Sequence, residues 1–98
     1  MTLHDITIDD TTLAALCRDH GVRRLWLFGS ITRDDFRADS DVDVLVETER
    51  PQGLFALGGL VADLQAMFGR EVHLTTLLSV PPEARAALLA KAQLQYAA

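Results

Sequence analysis

A single cysteine, Cys17, stands in 98 residues. No disulfide can form within the chain, and no Cys/His set has the spacing of a zinc site. Cys17 reads instead as a small buried apolar residue on the first helix. No apolar run is long enough to cross a bilayer. The opening Met1-Thr-Leu-His-Asp lacks the basic stretch and apolar core of a secretory signal. No membrane contact and a cytoplasmic location are therefore expected. Positive charge is also scarce, with 9 Lys and Arg against 14 Asp and Glu and a net charge of −5. Direct non-specific nucleic-acid binding, which depends on neutralising phosphates with Lys and Arg, is not expected of such a chain. Linkers, repeats and low-complexity segments are missing too. The length suits a single domain, residues 1–98, with one modest core. The 49% hydrophobic and 23% charged content is ordinary for a globular protein.

What is present alternates between helical and strand patterns. Residues 9–20 read as a helix, with Asp9, Asp10 and Thr11 as N-cap candidates, Leu13, Leu16 and Cys17 at helical spacing, and Gly21 as the stop. Residues 22–28 read as a strand, 30–36 as a short helix or turn, and 41–47 as a second strand. After the break at Pro51-Gln-Gly53, residues 54–68 form a long helix with Leu57, Leu60, Val61, Leu64 and Phe68 on one face. Residues 71–76 form a third strand, and Pro81-Pro82 introduces an Ala-rich helix over 83–95. A helix of that length between the second and third strands suits a crossover. The fold class predicted is α/β, a small mixed β-sheet with helices mainly on one face.

The chemistry concentrates in LWLFGSITRDDFRADSDVDVLVE, residues 25–47. An apolar strand ends in Gly29-Ser30, and ten residues later Asp41-Val42-Asp43 opens the next. Alternate residues of a strand share a face, so Asp41 and Asp43 project together, away from Val42, Val44 and Val46. Two adjacent carboxylates repel each other until a divalent cation sits between them. Oxygen ligands suit Mg²⁺, which takes further ligands from water and substrate phosphates. Gly29 lets the backbone turn tightly and approach a ligand. Ser30 is placed to cap the following turn and, with backbone N–H groups, to receive an anion. The pair of features predicts a phosphate cradle beside a metal clamp, suited to a nucleoside triphosphate.

Gly29-Ser30 followed by Asp41-x-Asp43 resembles the signature of the DNA polymerase beta-type nucleotidyltransferase superfamily, and the short chain resembles its minimal nucleotidyltransferase branch. The resemblance includes Arg33 after the Gly-Ser pair, extends through GREVHLTTLLSV as a third strand, and reaches a terminal helix ending near Tyr96. It implies a polymerase beta-like nucleotidyltransferase fold. It implies transfer of a nucleoside monophosphate, AMP from ATP, to a hydroxyl, with Mg²⁺ on Asp41 and Asp43 and the β/γ-phosphates on Gly29, Ser30 and Arg33. It also implies a HEPN-domain toxin as partner, with this chain as antitoxin and acceptor-modifying enzyme, in a homo- or hetero-oligomer. The family pattern places a third carboxylate on the third strand, and His73 stands in its place, with Glu71 two residues earlier. A neutral imidazole can act as base or ligand. It also removes a negative charge, which leaves open a second reading: a catalytically lapsed module that neutralises its partner by occupancy. Small-molecule modification, as in aminoglycoside nucleotidyltransferases, is a weaker third reading, because those enzymes carry an extra domain.

The remaining polar residues read less specifically. Arg33 suits either a triphosphate contact or an ion pair with Asp34, Asp35 or Asp39. Ser40 is either a donor to Asp41 or a plain turn residue. Trp26 is a strand core residue or a surface for stacking a base. His4 and His20 read as surface residues.

Overall fold

The computed structural model of the chain describes residues 2–3, 6–34, 37 and 40–98. His4, Asp35, Asp39 and the end of the 30–36 segment lie outside the described residues. A two-stranded antiparallel pair, β1 (Thr2–Leu3) and β2 (Ile6–Thr7), precedes helix α1 (Asp10–Asp19). Strand β3 (Val22–Phe28) runs into a 3₁₀ turn, Gly29–Thr32, and β4 (Val42–Thr48) follows. Helix α2 (Leu54–Phe68) crosses to β5 (Val72–Thr76). A short 3₁₀ segment, Leu77–Ser79, leads to α3 (Pro82–Lys91), and β6 (Gln93–Ala97) closes the chain.

The main sheet has the order β5-β4-β3-β6. β3 pairs antiparallel with β4 and β6, whereas β4 and β5 are parallel. Parallel neighbours need a crossover, and α2 supplies it. The sheet is therefore mixed, as predicted.

Asp9 begins α1: its Oδ1 accepts from the Thr11 amide at 3.2 Å and its Oδ2 from the Thr12 hydroxyl at 2.7 Å. The first bond satisfies a backbone donor that a helix N-terminus leaves open, and the second fixes the cap side chain. At the far end of α2, Gly69 takes the left-handed conformation that closes a helix, with φ of 69°. The apolar stripes of the two helices meet the sheet. Leu13 and Cys17 from α1 and Leu60, Leu64 and Phe68 from α2 pack on Leu25, Leu27, Val42, Val44, Val46 and Val72. This burial removes the largest apolar area from water and dominates the stability of the domain.

The alternation of the strands puts Trp26 and Leu45 on the other face, buried apart from that core. Arg24 lies over the Trp26 ring, 5.0 Å from its centroid, and pairs with Glu47 at 2.7 Å. Trp26 is thus a core residue and does not present its ring for base stacking. His20 departs from the surface reading: it is half-buried, and its Nε2 lies 2.7 Å from Asp63 Oδ2, linking the end of α1 to α2.

The largest correction is at the C-terminus. The helix predicted over 83–95 ends at Lys91, and Tyr96 lies in β6. Ala92 is already extended, with φ of −83° and ψ of 149°. Pairing with β3, Leu25 opposite Tyr96 and Trp26 opposite Leu94, gives this segment backbone partners that an isolated helix end lacks. Among the described residues, no helix is long and apolar enough to cross a membrane.

Candidate active site at the end of β3 and β4

Three neighbouring strands bring the predicted residues together. Phe28 pairs with Asp43 across the antiparallel ladder, and Asp43 pairs with His73 across the parallel one. Phe28, Asp43 and His73 therefore lie at one level of the sheet, and Gly29 follows Phe28 directly. Val42, Val44 and Val46 point into the core, which fixes the register and turns Asp41 and Asp43 outward.

His73 Nε2 lies 2.9 Å from Asp41 Oδ2, and its Nδ1 lies 3.8 Å from Asp43 Oδ1. Both are ion-pair contacts, the first close and the second at the outer limit. The His73 side chain is 67% exposed, against 39% for Asp41 and 29% for Asp43. The three groups form an open site, not a sealed core network.

Gly29 closes the other side. Its φ is 75°, a conformation that glycine alone adopts cheaply. A Cβ there would collide with Asp43 Oδ2 and come within 3.2 Å of its Cγ. The turn and the carboxylate can share this space only because residue 29 has no side chain.

Ser30 differs from its predicted role. It lies inside the 3₁₀ turn, whose cap position is Phe28, with no side-chain cap bond. The turn is held instead by Thr32 Oγ1 donating to the Gly29 carbonyl at 2.7 Å and by the Arg33 amide donating to the Ser30 carbonyl at 2.9 Å. Ser40 takes the plain turn role: its hydroxyl accepts from the Arg37 amide at 2.9 Å. Glu71 is exposed just before β5, and its carbonyl accepts from the Val42 amide at 2.9 Å.

Burial pushes the Asp43 carboxyl above the usual carboxylate range. His73 and Arg33 pull it back down, while Asp41 pushes it further up. Arg33, though exposed, is thus electrostatically part of the site. A bound cation would favour the ionised form of both aspartates. Among the described residues, no three His, Cys, Asp or Glu side chains form a ready-made metal cage. Two outward carboxylates nevertheless fit Mg²⁺, which is held through one or two carboxylates plus phosphate oxygens and water.

A cavity of about 400 Å³ adjoins the turn, lined by Phe28, Gly29, Thr32, Arg33, Leu88 and Lys91. Of these, Phe28, Thr32, Leu88 and Lys91 carry no motif that marks them in the sequence. Only the path of α3 brings the last two here. A second cavity, about 280 Å³, opens at the other end of β4 near Glu47, Thr48, Leu57 and Arg85. It contains neither the Gly29 turn nor the two aspartates.

Residues 10–94 match the nucleotidyltransferase domain family. The chain is 38% identical over 63 residues to a candidate protein adenylyltransferase of Methanocaldococcus jannaschii, covering 64% of this chain and 68% of that one. The structure of a candidate minimal nucleotidyltransferase superposes with a TM-score of 0.72 at 32% identity, covering 85% of this chain and 84% of the other. A chain from the complex of a tri-AMPylated Shewanella oneidensis HEPN toxin with MNT antitoxin superposes with a TM-score of 0.66 at 19% identity, covering 91% and 70%; this last likeness concerns the fold alone. The chain belongs to the nucleotidyltransferase domain family and has the fold of its minimal members.

Proposed function

We propose that the protein transfers AMP from ATP to a hydroxyl of a partner protein, a HEPN-domain toxin that it restrains as antitoxin. The observation that carries the reading is the convergence of the Gly29 turn, Asp41, Asp43 and His73 at one edge of the sheet, with Asp43 paired to His73 and in contact range of the Gly29 turn. The relatives support the choice of nucleotide and acceptor: one is a candidate protein adenylyltransferase, and one structure holds an AMPylated HEPN toxin. The acidic chain has little positive charge for nucleic acid, which favours a protein acceptor.

In this reading the acceptor oxygen forms a bond to the α-phosphorus, and the bond from that phosphorus to the pyrophosphate oxygen breaks. Gly29, Ser30 and Arg33 bind the β- and γ-phosphates. Asp41 and Asp43 hold Mg²⁺, which when bound supplies positive charge against the phosphate oxygens and the departing pyrophosphate. His73 stands with its Nε2 2.9 Å from Asp41 Oδ2, beside the place the acceptor oxygen takes. Its neutral imidazole accepts the proton of the attacking hydroxyl.

The occupancy reading keeps one specific support: His73 lacks the negative charge of a carboxylate, so the cation site is weaker. The test is calorimetric titration of Mg²⁺–ATP into the wild type and into the Asp41→Asn/Asp43→Asn double variant. Binding in the wild type and its loss in the double variant is the expected result. Equal affinity in both contradicts the assignment of the carboxylates.

A further inference from the structure

Lys91 ends α3, 62 residues after Gly29 in sequence, yet it lines the same cavity. It is the one lysine of the chain. Its exposed ammonium makes no ion pair among the described residues. The cavity couples it with Arg33, two cations facing one space in a protein of net charge −5. Thr32, whose hydroxyl is occupied by the Gly29 carbonyl, completes the polar side. Phe28 and Leu88 supply an apolar wall, which limits water and strengthens charge interactions inside.

The cavity shares Gly29 with the carboxylate site but is lined by neither aspartate. The two compartments are thus electrostatically opposite, and they meet at one backbone turn. A polyanion with one end held at the carboxylates through a cation meets positive charge across Gly29. We infer that Lys91, with Arg33, binds the terminal phosphates of the nucleoside triphosphate in this cavity. The inference rests on the nucleotide reading above and adds a residue and a discrimination to it: the cavity distinguishes a triphosphate or pyrophosphate from a monophosphate. A lysine contributes a point charge with no fixed fork, so Arg can replace it while Ala cannot. The alternative use of Lys91, compensating the C-terminal dipole of α3, affects helix stability and not phosphate count.

The experiment is calorimetric binding of Mg²⁺–ATP, Mg²⁺–pyrophosphate and AMP to the wild type, Lys91→Ala and Lys91→Arg, with thermal melts of all three. Lys91→Ala is expected to weaken ATP and pyrophosphate roughly tenfold, the scale of one charge-assisted phosphate contact. AMP affinity and the melting temperature should stay unchanged, and Lys91→Arg should restore ATP binding. With wild-type binding intact, unchanged ATP affinity in Lys91→Ala overturns this inference alone. An equal loss for AMP and ATP also overturns it, placing the base or ribose in the cavity. Failure of the wild type to bind Mg²⁺–ATP overturns the nucleotide reading and this inference with it.

Discussion

Gly29 and Asp43 occupy one shared space: the Asp43 carboxylate lies where a side chain on residue 29 would stand. The Gly29 turn and the strand that presents the carboxylates are thereby built as one unit. Gly29→Ala should destabilise the domain by about 1–3 kcal/mol, from the left-handed backbone and the collision together. Asp43→Ala in the same chain should recover the collision component only. Urea unfolding of the two single variants and the double variant checks this; strict additivity would contradict it.

The carboxylates should be dispensable for folding. Asp41→Asn/Asp43→Asn is expected to melt no lower than the wild type without divalent cation, because the replaced groups repel each other. A cooperative loss of structure in circular dichroism would show that they have a structural role.

The raised pKa of Asp43 has a defined sign. Burial makes the folded state hold this proton more tightly than the unfolded state does. The ionised carboxylate therefore costs stability above its folded pKa, and the cost is relieved as pH falls toward the unfolded value of ~3.9. Asp43→Asn should be more stable than the wild type at pH 7 in EDTA, and the gap should narrow as pH falls toward the unfolded carboxylate value. Melts across that range measure it, and a gap that widens with acid contradicts the account.

Burial pushes the Cys17 thiol up to about 11. Its side chain is fully enclosed by the core of α1. A thiol reagent at pH 8 should therefore react only at the rate of unfolding, and rise to full speed in denaturant. Rapid labelling of the native protein would contradict the burial.

Much of this arrangement is legible in the sequence. α1, β3, β4, α2 and β5 are marked by caps, glycine stops and hydrophobic period, because local pattern and burial agree there. Gly29, Asp41 and Asp43 are legible because strand alternation fixes which way they point. β6 is not: no breaker separates Lys91 from Gln93, and the strand exists through pairing with Leu25 and Trp26, a tertiary effect. Ser30 is misread as a cap because the helix expected after it is a single 3₁₀ turn closed by Thr32. Lys91 is illegible because its nearness to Gly29 depends on the direction of α3, which no spacing encodes.

The central claim is transfer, and His73 is where it is most exposed to test. The measurement is transfer of α-labelled ATP to the HEPN-domain partner by the wild type, His73→Ala and His73→Asp, with Mg²⁺ and partner binding measured in parallel. The account predicts wild-type transfer, its loss in His73→Ala with partner binding retained, and no transfer from Asp41→Asn/Asp43→Asn. Tight partner binding with no wild-type transfer, or a gain of transfer only in His73→Asp, would contradict it and leave a module that acts by occupancy.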